Sequence, residues 1–213
     1  MTYETEEEQV EKIKELWKKH GVPLLTGVVI ALAGVFGWQG WGNYQDNKAA
    51  NASALYQSML ESVLGDGGTE DRARGAELAE QIREEYSGTR YAQFAALMQA
   101  RLAVEAEDLP AAEALLNEVV GDAGDPVMEE VARQRLARVL AAQDRAEEAL
   151  ELLTGEVSGA LLASREEVRG DLLLELGREA DARTAYQAAL AALEDPQARP
   201  QLQLKLNDLA EEV

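Results

Sequence analysis

Between Val22 and Trp38 the chain reads VPLLTGVVIALAGVFGW, a run without a single charged residue. Lys18, Lys19 and His20 stand directly before it and Trp41 shortly after it. Downstream the pattern changes. Apolar residues recur at helical spacing, as at Leu78 and Ile82 or across Ala149, Leu150, Leu152 and Leu153, against a background of Ala, Glu, Arg and Gln. Such spacing lays an apolar stripe along a helix, and these residue types are strong helix formers. Alternating β-branched and aromatic runs, the mark of strands, do not occur. The pattern predicts an all-α chain with one N-terminal apolar helix and a helical domain after it.

A bilayer core is about 30 Å thick and takes about 20 apolar helical residues. Extended to Trp41, the run has that length. Trp17 and Trp38 stand roughly 32 Å apart on a helix rising about 1.5 Å per residue, and tryptophan favours the headgroup level. Lys12, Lys14, Lys18 and Lys19 crowd the N-terminal side, which the positive-inside rule places in the cytoplasm. The expected organisation is a cytoplasmic tail over 1–20, a transmembrane helix over 21–42 and a domain over 43–213 on the far side. In a Gram-negative cell the helix would sit in the inner membrane as a single pass and the domain would be periplasmic. A cleaved signal peptide competes, because Ala31-Leu32-Ala33 fits a small-x-small site. Against cleavage, apolar residues continue through Val35, Phe36 and Trp38, and the charged segment before the run is long and rich in Glu. Gly27 with Ala31, and Ala33 with Gly37, have the small-xxx-small spacing that lets helices approach closely in lipid. Gly27, Ala31, Gly34 and Gly37 are therefore the expected intramembrane contact face, although glycine is common in membrane helices in any case. The acidic stretch around Glu6, Glu7 and Glu8 is expected to be disordered rather than to dock a cytoplasmic regulator.

Turn residues divide the rest into helical hairpins. Gly65-Asp66-Gly67-Gly68, Ser87-Gly88-Thr89, Glu107 to Pro110, Gly121 to Pro126, Gln143-Asp144, Gly155 to Gly159, Leu176-Gly177-Arg178 and Glu194 to Pro196 mark the breaks. They predict nine helices of 12 to 18 residues besides the anchor, the first starting near Asn43. Aligning Ala112, Ala149 and Ala182 reveals a repeat. Twelve residues earlier stand Ala100, Ala137 and Gly170, and nine earlier stand Ala103, Leu140 and Leu173. Four later stand Leu116, Leu153 and Tyr186. The separations of 37 and 33 bracket the period of about 34 of tetratricopeptide repeats. Small residues at Ala100, Ala112, Ala137, Ala149, Gly170 and Ala182 let the two helices of a hairpin approach, and a large residue such as Tyr186 fills the gap to the next. A non-repeating bundle competes, because Ala is so frequent here. Leu202, Leu206, Leu209 and Val213 share one face of the last segment, which suits a helix that caps a tetratricopeptide-like α-solenoid.

Charge and composition then narrow the chemistry. Forty acidic residues against twenty basic give a net charge of −20, so the basic footprint of a nucleic-acid binder is missing. Without cysteine there is no disulfide, thiol nucleophile or thiolate zinc site. One histidine, at the membrane edge, supports neither a histidine metal site nor a catalytic triad. Glu84-Glu85, Glu129-Glu130, Glu147-Glu148 and Glu166-Glu167 are carboxylate pairs. Neighbours on a helix diverge by about 100° and do not face each other, so these are expected to be solvated faces rather than a glycosidase pair. The Gly-Asp loops lack the Lys-Ser/Thr of a P-loop and the spaced acids of an EF-hand. Asn51-Ala52-Ser53 is a glycosylation sequon by letter only. No enzyme activity, metal or cofactor is expected. Stacked hairpins instead offer a surface for an extended peptide or a partner helix, with Gln99, Arg133 and Arg169 as candidate groove residues.

Three segments carry a resemblance. TEEEQVEKIKELWKKHGVPLLTGVVIALAGVFGWQGW, YSGTRYAQFAALMQARLAVEAEDLPAAEALL and LQLKLNDLAEE together resemble the YfgM-like ancillary SecYEG translocon subunit family over nearly the full chain. The tail-plus-anchor combination is the most specific part. The resemblance implies an inner-membrane protein facing the periplasm, with the SecYEG channel and the PpiD-like membrane-anchored chaperone as partners. It implies a non-catalytic adaptor that helps hand exported proteins, as nascent chains, to periplasmic chaperones. A periplasmic repeat scaffold in envelope assembly or cell-division coupling is the alternative, since the same fold would serve it.

Overall fold

The computed structural model describes residues 6–65, 68–122, 124–157, 159–195 and 199–211. Among them all regular structure is helical, in the order α1 (Glu6–Leu64), α2 (Gly68–Glu85), α3 (Arg90–Glu105), α4 (Leu109–Asp122), α5 (Pro126–Ala141), α6 (Ala146–Leu152), α7 (Gly159–Glu175), α8 (Glu179–Ala191) and α9 (Pro200–Glu211). The chain divides into two compact units, Met1–Asn51 and Ala52–Val213, with the division inside α1. Of the expected turn and cap positions, Asp66, Gly67, Ala123, Ser158, Pro196 and Val213 lie outside the described residues.

In the second unit each helix from α2 onward packs on the next, and α5 also packs on α7. That is the stacking of a helical-hairpin solenoid. The repeat seen in sequence is repeated in the backbone. Glu107, Asp144 and Gly177, each five residues before its aligned alanine, all have positive φ, at 61°, 61° and 72°. Their N–H groups donate to Val104, Ala141 and Leu174, three residues back. The N–H groups of Asp108, Arg145 and Arg178 donate five residues back, to Ala103, Leu140 and Leu173, at 2.9, 3.0 and 2.8 Å. This is the Schellman arrangement that satisfies the last carbonyls of a helix, built three times. The next helix is entered at once, and Ala112, Ala149 and Ala182 donate to the carbonyls of Asp108, Arg145 and Arg178.

The aligned small residues sit where helices meet. Ala100, Ala112, Ala137, Ala149 and Ala182 are buried. Leu116, Leu136, Leu140 and Leu153 join the first four in one apolar cluster across α3 to α7, and Ala182 lies in a second one with Tyr186, Leu173 and Leu202 under α9. Gly170 packs directly on Tyr186, and a Cβ there would lie 2.3 Å from the ring. The Tyr186 hydroxyl donates to Asp171 at 2.7 Å. Burial, with that carboxylate beside it, pushes the hydroxyl above its ordinary pKa. A third cluster joins Met59 and Val63 of α1 to Ala79, Ile82 and Ala95. α9 caps the array with Leu202 and Leu209 buried. Its Lys205 bonds Glu167 and Asp171 of α7, and Arg199, just before it, bonds Glu167.

Three expectations change. No separate helix starts near Asn43, because α1 runs from Glu6 to Leu64. Gly40 and Gly42 weaken a helix only modestly, and no proline follows them before Leu64. Glu6, Glu7 and Glu8 belong to that same helix instead of a disordered tail. At the other extreme α6 has only 7 residues. The chain leaves it through Gly155, with φ of 87°, whose carbonyl accepts from Arg165 at 2.8 Å.

Candidate interaction surfaces

α1 carries exposed large apolar side chains from Val10 to Tyr44, with Trp38 81% exposed. The stretch Leu25–Leu64 is long and apolar enough to cross a membrane, and its most apolar part is not buried. Gly27, Ala31, Gly34 and Gly37 lie on one face by helical spacing. A Cβ on any of the three glycines would meet nothing within 4 Å, and Ala31 is exposed. This face is open to a neighbouring helix.

A groove crosses the second unit at α3, α4 and α5. Its volume is about 330 Å³. Leu97 and Val104 of α3, Leu109 and Leu116 of α4 and Val139 of α5 form apolar walls, and Arg101, Arg135 and Arg138 line it. Arg101 pairs with Glu105 at 2.8 Å. Among the described residues, no carboxylate pairs with Arg135 or Arg138. Desolvation against the apolar walls and the like charges of Arg138 and Arg101 push the Arg135 pKa down. An adjoining depression shares Arg138 and Ala142 and is bounded by Asp171 and Glu175 of α7. The surface thus changes sign from the α3–α5 seam to the α5–α7 seam.

The three groove residues proposed from sequence do not share one cavity. Gln99 lines a depression with Glu80 and Arg83. It accepts from Arg83 at 2.7 Å and donates to Glu80 at 2.9 Å. Arg133 bonds Glu129 and Glu130. Arg169 bonds Glu166 at 3.1 Å and lines a third depression with Thr154 and Glu156. All three already hold partners within the chain. Arg101 and Arg138 were legible in the alignment: each directly follows the aligned small residue of its first helix, Ala100 and Ala137. Arg135 had no such signal.

The carboxylate pairs are not all solvated, contrary to expectation. Glu130 is 2% exposed and Arg165 of α7 is 2% exposed, and they form a two-armed ion pair. Gln134 donates to Glu130 at 2.8 Å and accepts from Ser164 at 2.7 Å. Arg133 adds a bond at 3.3 Å. The polar atoms of this buried set are thus satisfied, as burial requires. Burial alone would raise the Glu130 carboxyl; the bonds from Arg165 and Gln134 and the charges of Arg165 and Arg133 outweigh it and hold the carboxyl below its ordinary range. Glu113 is also held low, by bonds from Gln143 and Arg145. A general acid needs the opposite shift. No group of three or more His, Cys, Asp or Glu side chains among the described residues could hold a metal ion.

A tetratricopeptide repeat-like domain family matches residues 14–211. A Haemophilus influenzae protein named ancillary SecYEG translocon subunit is 32% identical, over 98% of this chain and 100% of its own length. Proteins of the same name from Escherichia coli and Neisseria gonorrhoeae are 31% and 26% identical, over 98% and 96% of this chain and 98% and 97% of theirs. No solved structure matches.

Proposed function

Because the chain belongs to the tetratricopeptide repeat-like family of ancillary SecYEG translocon subunits, we propose that it is a non-catalytic, membrane-anchored adaptor at the exit of the Sec channel. It links the channel to a PpiD-like chaperone, or to the exported chain itself, in the periplasm. The observation that carries this reading is full-length similarity to relatives of that name, which includes the apolar helix as well as the repeats.

Each part of the molecule has a place in the reading. The apolar part of α1 spans the inner membrane, with Lys12, Lys14, Lys18 and Lys19 keeping the N-terminus cytoplasmic. Its Gly27, Ala31, Gly34 and Gly37 face docks on a channel or partner helix, where small residues allow close van der Waals contact. Residues 43–213 are periplasmic, and the repeats supply the recognition surface. An enzyme is disfavoured because the buried carboxylate is committed to an arginine and held ionised.

Site-specific photo-crosslinking in intact cells tests the reading, with probes at Gly34 or Val35 in α1 and at Arg138 in the groove. Channel subunits are expected from the α1 probes, and a PpiD-like chaperone or secreted chains from the groove probe. Adducts only to envelope-assembly or division proteins would overturn it in favour of a scaffold.

A further inference from the structure

We infer that the groove lined by Arg101, Arg135 and Arg138 docks an acidic segment of a partner protein, in which a large apolar side chain is flanked by carboxylates. The inference deepens the adaptor reading and rests on it.

Charge complementarity carries the argument. The chain has twice as many acidic as basic residues, and most of its arginines hold a carboxylate; among the described residues Arg72, Arg74 and Arg183 do not, but none of these three lines the groove. Arg83, Arg133, Arg145, Arg165, Arg169, Arg178 and Arg199 each hold one. Arg135 and Arg138 hold none among the described residues, and they stand together beside one apolar groove. Their mutual repulsion is relieved by a carboxylate brought from outside. Guanidinium groups bind carboxylates in a planar, two-armed geometry, so the pair selects Asp, Glu or a terminal carboxylate over a neutral side chain.

The walls set the rest of the ligand. Leu97, Val104, Leu116 and Val139 offer apolar surface within a volume of about 330 Å³, at the small end of ligand pockets. That suits an inserted side chain better than a whole folded surface. On the α7 side Asp171 and Glu175 repel further acids. The carboxylates of the ligand therefore lie over α3 and α5.

The test uses the full chain in detergent micelles and fluorescence anisotropy. The probe is a fluorescein-labelled peptide with Glu-Leu-Phe-Glu at its centre, compared with its Gln-Leu-Phe-Gln isostere and its Glu-Ala-Ala-Glu analogue. Both analogues are expected to bind at least about tenfold more weakly than the parent. The R135E/R138E variant should lose at least about tenfold, while R72E/R74E, with the same charge change on exposed arginines of α2, should bind as the unaltered chain does. A thermal melt of R135E/R138E confirms that loss of binding is not loss of fold. Equal binding of the glutamine isostere, equal loss in R72E/R74E or no binding of the parent peptide would each overturn the proposal. So would self-association in sedimentation that R135E/R138E abolishes, which would make the groove a contact between copies of this chain. The adaptor reading falls on a different result, the absence of channel adducts from the α1 probes in cells.

Discussion

The two sides of α5 use arginine in opposite ways. Toward α7, Arg165 is buried and gives bonds to Glu130 and the carbonyls of Thr154 and Gly155. Toward α3, Arg135 and Arg138 are exposed on an apolar groove and pair with no carboxylate among the described residues. Residue type is the same and the neighbours decide the role. A guanidinium taken out of water must be paired and hydrogen-bonded. One left at a surface keeps its capacity for a partner that arrives later.

The largest expected effect breaks the buried side. Glu130→Ala leaves Arg165 charged and unpaired in the interior, which costs roughly 3–5 kcal/mol and should appear as a large drop in the denaturation midpoint. Replacing both partners by methionine should recover most of that loss, because an apolar pair of similar volume is often no less stable than a buried ion pair. A double variant as unstable as the single one would mean that the network, not the unpaired charge, sets the cost. The pair also imposes a pH dependence. Glu130 titrates lower when folded than when unfolded, so its stabilisation is complete above about pH 4.3, the unfolded value. It is lost as pH falls through the lower, folded value. A stability profile from pH 6 downward should therefore be flatter for the double methionine variant.

The second effect concerns the α7–α8 hairpin, where Gly170 faces Tyr186 in place of the alanine and leucine of earlier repeats. Gly170→Ala forces a methyl into the ring. The ring cannot swing away freely, because its hydroxyl bonds Asp171 and Lys205 lies 5.7 Å from its centroid. Overpacking of this kind costs roughly 1–3 kcal/mol. Adding Tyr186→Leu, the pairing used by the earlier repeats, should return part of it. A Gly170→Ala chain as stable as the parent in thermal unfolding would show that the helices can separate without loss.

Legibility in the sequence follows how local each determinant is. Helices, turns and the aligned small residues repeat at a nearly fixed spacing, so Ala112, Ala149 and Ala182 could be found by alignment and the all-α repeat architecture with them. The Schellman turns were half visible, since Gly177 announces a left-handed residue while Glu107 and Asp144 do not. That difference is itself testable. Glycine adopts positive φ without steric cost, so Glu107→Gly and Asp144→Gly should each stabilise the chain by about 0.5–1 kcal/mol, and Gly177→Ala should destabilise it by a similar amount. The burial of Glu130 was not visible, because its partner Arg165 lies 35 residues away in another hairpin. Adjacent glutamates on one helix reveal nothing about what packs over one of them. For the same reason Gln99, Arg133 and Arg169 were chosen by residue type and helix, and each found a partner inside the chain. The continuity of α1 was not legible, because the expected membrane span ends near Gly42 while the helix formers after it carry the same helix on to Leu64.

The smallest effect belongs to the exposed side of α5. Replacing Arg135 and Arg138 together by alanine removes two charges that pair with no carboxylate among the described residues, so unfolding free energy should change by less than about 0.5 kcal/mol. A slight gain is expected, because the two guanidinium groups and Arg101 repel one another. The contrast with Glu130→Ala is the point of the measurement. If the groove arginines were structural, their loss would lower the midpoint as the buried pair's does. A neutral result in denaturation, joined to lost peptide binding, separates an arginine kept for the fold from an arginine kept for a partner. The aliphatic stems add one qualification with a definite sign. They cover apolar surface at the groove wall, so Arg→Ala should expose a little more of Val139 and Leu97, whereas Arg→Met should not. Met at both positions is therefore the cleaner variant, with the fold undisturbed and only the charge gone.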